Sequence, residues 1–170
     1  MSRIHLSILT AAAAALALPA APAAAALGPD APLCTAGSRR PAVLVSVTGF
    51  KNRVGRLRVQ LYGNNPADFL ATGKKLRRID VPVTPGGAMN VCVAVPRPGV
   101  YAIAVRHDAD ANGKSGWNDG GGFSNNPKIT LLDLKPSLRE VAFPVGNGVK
   151  PVRVVLNYRR GLTIGPIASN

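Results

Sequence analysis

The chain has 170 residues, and its 21 Lys and Arg outnumber 8 Asp and Glu, giving a formal charge of +13 at pH 7. That length is one ordinary domain. One Trp, three Tyr and four Phe, with no interleaved stacking set and no recognised binding motif, set nucleic acid aside as a partner.

Met1-Ser2-Arg3 gives a short positive start, Ile4 to Leu18 an apolar run, and Ala24-Ala25-Ala26 an A-x-A cleavage site. These are the parts of a signal peptide over 1–26, so the mature chain is expected to be periplasmic or secreted. No later segment reaches the ~18 apolar residues of a bilayer span, so no transmembrane anchor is expected after cleavage. Cys34 follows Ala31-Pro32-Leu33, a poor match to the small residues of a lipoprotein junction. In an exported chain Cys34 and Cys92 read as one disulfide, the alternative being two unpaired thiols. Closing a loop of that size is worth roughly 4 kcal/mol in the chain-entropy picture.

Residues 27–41 read as an irregular leader, and 42–160 as strand after strand. Val43, Val45 and Val47 alternate with Leu44, Ser46 and Thr48, and Leu57, Val59 and Leu61 alternate with Arg56, Arg58 and Gln60. The second is a half-buried strand with its basic side in solvent. Between them lies a turn over Gly49 to Gly55. Asn65 to Leu70 reads as one helical turn with Pro66 in its first position. Leu76 to Thr84 is an edge strand, because Pro82 cannot donate to a central ladder. Met89 to Val95 carries Cys92. Pro98 to Val105 is apolar on both faces, which predicts a central strand, and its Tyr101 is placed like the tyrosine at Greek-key corners. A long loop from Arg106 to Pro127 follows. Ile129 to Leu134, Leu138 to Val145 and Val152 to Tyr158 are predicted to close the fold, and 161–170 to be a mobile tail. Seven or eight short strands with no helical period predict an all-β, single-domain β-sandwich, immunoglobulin-like or transthyretin-like.

The long loop holds the one candidate site. Asp108, Asp110 and Asn112 alternate, Gly113 follows, and Asp119 stands at the twelfth place. This is the spacing of a calcium loop, with oxygens at the first, third and fifth places, Gly at the sixth for the sharp turn, and a carboxylate at the twelfth. The predicted ligands are the Asp108, Asp110, Asn112 and Asp119 side chains and the Lys114 carbonyl, with Ca²⁺ as the one cofactor. Lys114 and Arg106 add local positive charge, so the expected affinity is weak, roughly 10⁻⁴–10⁻³ M. The alternative is a metal-free turn, in which Asp and Asn bond their own backbone. Trp117 is the only tryptophan and reads either as an interface anchor or as a cover for one end of the sandwich. Together with Trp117, His107, Ser124 and Asn125 complete the set of candidate binding residues. A zinc site is not supported, with one histidine outside the signal segment and both cysteines expected to pair.

At these residues the chain resembles the bacterial exported proteins grouped as domain of unknown function 2141. The resemblance runs from about Val43 to Leu156. It rests on Gly55-Arg56-Leu57-Arg58-Val59-Gln60-Leu61-Tyr62, Phe69, Pro98 to Asp108, Asp110, Asn112-Gly113-Lys114 and Gly122-Phe123-Ser124-Asn125-Asn126. It implies a small exported β-sandwich with no assigned activity. The family pattern has a Pro and a Glu before Gly-Phe-Ser; here Asp119-Gly120-Gly121-Gly122 stands in that place. The functional expectation is therefore a non-catalytic binding module, with an anionic cell-envelope component or an envelope protein as partner. Two alternatives stand beside it: a small hydrolase using His107 and Asp108, with Ser115 or Ser124 nearby, and a purely structural envelope protein.

Overall fold

A computed structural model describes residues 25–167. Most of the expected signal segment and the last three residues of the chain lie outside them. The fold is all-β, a sandwich of a small and a large sheet. The small sheet has the order β4 (Met89–Ala94), β1 (Ala42–Thr48), β8 (Val149–Val155). The large sheet has the order β10 (Thr163–Pro166), β9 (Asn157–Arg160), β6 (Gly120–Phe123), β5 (Gly99–Asp108), β2 (Arg56–Tyr62), β3 (Arg77–Pro82). A short β7 (Phe143–Val145) pairs with the start of β5. β1 is antiparallel to β4 and parallel to β8.

The alternating residues read in the sequence meet in one core. Val43, Val45 and Val47 of β1, Leu57, Val59 and Leu61 of β2, and Tyr101, Ile103 and Val105 of β5 are all buried in it. β5 is central, between β2 and β6, and its other face is covered too. Ala102 and Ala104 pack under Leu138 and Val141, with Phe69 and Phe123 against the same cluster. That double burial is why no polar alternation marks this strand. The Tyr101 hydroxyl donates to the Arg97 carbonyl at 2.7 Å, the corner bond expected of it.

The leader is tied down at three points. Leu27 bridges Val91 on the outer edge of β4. The Asp30 carboxylate, buried, takes both Nε and Nη2 of Arg77 and the Ala94 N–H. Cys34 and Cys92 form the disulfide, with Cα atoms 5.9 Å apart.

Several local expectations change. Ten strands are present among the described residues. The segment Ile129 to Leu134 is not a strand: Thr130 and Asp133 exchange backbone bonds at 3.1 and 3.2 Å, and the Thr130 hydroxyl takes the Asp133 N–H. This local turn satisfies the backbone in place of a ladder. Leu138–Val141 is a four-residue helix (α1) rather than the start of a strand. Its Glu140 carboxylate accepts from the N–H and hydroxyl of Ser137 at 2.8 and 2.7 Å, closing the N-terminus. Val152 to Tyr158 is two strands in two sheets, because the chain crosses the sandwich at buried Leu156, whose N–H binds Thr48. Residues 163–166, expected in a mobile tail, return along β9 after the two-residue turn Gly161-Leu162. Asn65 to Leu70 is turn structure with the Asn65 amide oxygen taking the Ala67 N–H. No helix in the described residues is long and apolar enough to cross a membrane.

Candidate functional site

The site stands where β5 leaves the large sheet. β5 delivers His107 and Asp108, the loop runs over 109–119, and β6 brings the chain back beside β5, His107 facing Gly120. The run Gly120-Gly121-Gly122, expected to be loop, is therefore a strand. Its glycines reflect crowding: a Cβ on Gly120 would lie 2.5 Å from the Tyr158 ring, and one on Gly122 2.7 Å from Val154.

The loop is folded on its own carboxylates. Asp108 is 2 % exposed, and its Oδ2 accepts the Gly113 N–H at 2.9 Å. The first and sixth places of the loop are thus bonded together. Asp110 Oδ1 accepts the Asn112 N–H at 3.2 Å, and Asn112 Oδ1 accepts the Lys114 N–H at 2.7 Å. Asp119 spans the loop, Oδ1 accepting from Ala109 N–H at 3.0 Å and Oδ2 from Gly116 N–H at 2.8 Å. Oxygens of Asp108, Asp110 and Asp119 come within 4.8 Å of one another. The spacing has gathered the three carboxylates it predicted.

Two facts of this geometry were not in the spacing. The first is that Asp108 Oδ1 is buried with no hydrogen-bond partner. A buried carboxylate oxygen left unsatisfied costs free energy, and a cation is one group that would satisfy it. The second is Arg106. Its guanidinium reaches Gly113 O at 2.8 Å, Ser115 Oγ at 3.0 Å and Asp108 Oδ2 at 3.3 Å. It offsets part of the loop's negative charge from inside, a role the sequence reading reduced to nearby positive charge.

The candidate binding residues divide. His107 is fully buried. Its Nε2–H donates to the Val54 carbonyl at 2.8 Å, and its Nδ1 accepts from the Tyr158 hydroxyl at 2.6 Å. Burial pushes the Tyr158 hydroxyl up to about 12, so it keeps its proton for this bond. Phe50 lies edge-on to the imidazole, 5.3 Å between centroids. His107 therefore fastens the Gly49–Gly55 turn to β5 and β9, and neither ring nitrogen is open to a ligand. Ser124 is likewise buried, its hydroxyl shared between Ile103 N–H and the Val141 carbonyl. Asn125 donates to the Glu140 and Ala142 carbonyls and so holds α1. Asn126 grips the outer edge of β8, donating to Arg153 O and accepting from Val155 N–H. Trp117 is 72 % exposed, with the Arg159 guanidinium 3.2 Å above its ring.

No curated protein and no solved structure matches the chain significantly. Residues 45–153 match the model of a family described as "Uncharacterized protein conserved in bacteria (DUF2141)". That stretch runs from within β1 through β7, with the Asp108–Asp119 loop and most of β8, and the chain accordingly belongs to this bacterial family, domain of unknown function 2141.

Proposed function

We propose that this chain is an exported, non-catalytic binding module whose 108–119 loop takes a calcium ion and whose basic surface meets an anionic component of the cell envelope. The observation that carries the ion is Asp108 Oδ1, buried and unpartnered beside the carboxylates of Asp110 and Asp119. A hard cation favours such oxygens, and the remaining ligands would come from Asn112, the Lys114 carbonyl and water. Export is supported by the N-terminal signal pattern and by the Cys34–Cys92 bridge. The absence of catalysis is supported by His107, whose ring nitrogens are both occupied. The anionic partner is supported by the net charge of +13.

Calcium titration of the mature protein tests the ion. With the affinity expected above, about 10 mM Ca²⁺ would stabilise the fold by about 1.4–2.7 kcal/mol through mass action. That is a rise in Tm on the order of 5 °C. Trp117, inside the loop, reports the same event by its fluorescence. Asp110→Asn removes one exposed ligand without disturbing the core, and should abolish the rise while leaving the calcium-free Tm unchanged. A wild-type Tm that does not move over this range would reduce the loop to self-contained turn chemistry.

A further inference from the structure

Two turn tips on one side of the molecule carry leucines with no packing role. Leu132 stands at the tip of the Thr130–Asp133 turn and is fully exposed at 101 %. Leu162 stands at the tip of the β9–β10 turn and is 85 % exposed. Between these segments lies a cleft of about 550 Å³ lined on its apolar side by Pro127, Ile129, Leu131, Leu162, Ile164 and Pro166. Leu134, also exposed, continues the surface beyond the first tip. On the other flank Ile164 is the cross-strand partner of Arg159, so both project from the outer face of the hairpin. Arg159 in turn carries Trp117. Leu132, Leu134, Leu162 and Trp117 thus gather around this cleft and its flanks, whereas exposed Val54, Leu76 and Val100 do not line it.

The charges around this face are mostly of one sign. Lys128 lines the cleft, Lys135 follows Leu134, and Arg159 stands on the outer face of the hairpin; Asp133 is the one carboxylate of residues 126–135 and 157–166, while Asp119, two residues from Trp117, spends its oxygens on the Ala109 and Gly116 N–H groups. A second copy of the chain would set these cations against their own like. A soluble polyanion would satisfy the cations but gain nothing from leucines raised on turn tips. An anionic bilayer satisfies both, because its headgroups pair with Lys and Arg while the boundary beneath accepts Leu and Trp.

We propose that the face formed by Leu132, Leu162 and Trp117, with Lys128, Lys135 and Arg159 around them, is a peripheral docking surface for an anionic lipid membrane. The inference rests on the anionic-partner reading above and names the lipid headgroup as the anion. It shares Trp117 with the 108–119 loop but does not require the ion.

The test is co-sedimentation of the mature protein, without calcium, with vesicles of phosphatidylglycerol and phosphatidylcholine in equal parts. Vesicles of phosphatidylcholine alone and immobilised dextran sulfate run in parallel. Binding to the anionic vesicles is expected, with a blue shift of Trp117 emission. The Leu132→Ser/Leu162→Ser protein should lose on the order of 100-fold in partitioning, about ten-fold for each leucine withdrawn. Both sites are exposed, so its Tm should not change. Vesicle binding that ignores the two leucines would overturn the proposal and leave a purely electrostatic partner. No vesicle binding would also overturn it. The broader anionic reading then stands if dextran sulfate retains the protein, and falls with it if dextran sulfate does not.

Discussion

Replacing His107 by alanine is expected to remove about 4 kcal/mol of folding stability, as much as truncating a buried aromatic ring. The ring is buried, and two groups depend on it. Without it the Val54 carbonyl loses its donor and the Tyr158 hydroxyl loses its acceptor. Each orphaned polar group costs about 1–3 kcal/mol if it stays dry. Part of this is recovered if the Gly49–Gly55 turn lifts and admits water, which is why the total is set near the cavity cost alone. Urea unfolding should show the loss as a lower midpoint, by about 2 M for a slope near 2 kcal/mol per M. Tyr158→Phe should cost less, because it spares the ring packing. The double variant should cost clearly less than the sum of the two, with a coupling of about 1 kcal/mol or more, since both changes break one bond. Additive losses would mean that His107 acts by volume and not through Tyr158. A stable His107→Ala protein would contradict the structural role altogether.

Gly55→Ala should be almost as damaging, about 3 kcal/mol, from two causes that can be separated. Gly55 has φ +80°, where a Cβ is disfavoured by about 1–2 kcal/mol. It also sits against the base of the loop: an added Cβ would fall 2.1 Å from the Asp108 carbonyl oxygen and 2.8 Å from that of Ala109. Both are backbone atoms, that of Asp108 in the paired strand β5 and that of Ala109 directly after it, so they cannot swing away as a side chain would. Gly37 is the control, with φ +78° and nothing within 4 Å of the same added atom. Gly37→Ala should carry only the backbone term, leaving a gap of about 2 kcal/mol between the two variants for overpacking. Equal losses would show that the loop base yields freely. Because the displaced atom is the backbone of Asp108, Gly55→Ala should also weaken the calcium response, whereas Gly37→Ala should not.

Much of the sandwich was legible because burial writes itself into alternation. β1 and β2 show it directly, and β5 shows it in reverse as a run apolar on both faces. Where a strand is chosen by its neighbours instead, the pattern is silent. Gly120–Phe123 has poor strand propensity, yet it is a strand because Tyr158 and Val154 leave room only for bare backbone beside β5. Ile129 to Leu134 errs the other way, with apolar residues suited to a strand and a Thr130–Asp133 turn that closes on itself. The helix of four residues was too short for a period, although Ser137 and Glu140 carried its capping signature. At the loop, spacing alone found the three carboxylates. It could not find the unpaired Asp108 oxygen or the reach of Arg106, because both depend on what burial does to one side chain. For the same reason His107 and Ser124 read as exposed polar candidates, while the fold uses them inside.

The margins of the two sheets bear on how this chain behaves at high concentration. The outer edge of β4 is occupied by Leu27, and that of β8 by the Asn126 amide, with Pro151 presenting no N–H there. In the large sheet β3 ends in Pro82 and carries Arg77 and Arg78, and β10 is four residues long and ends in Pro166. A stray strand from another molecule finds no long, flat, neutral ladder on which to grow. Fibril growth by edge-to-edge addition is therefore closed off at each border, and the leucine-tipped face can remain uncovered without seeding it.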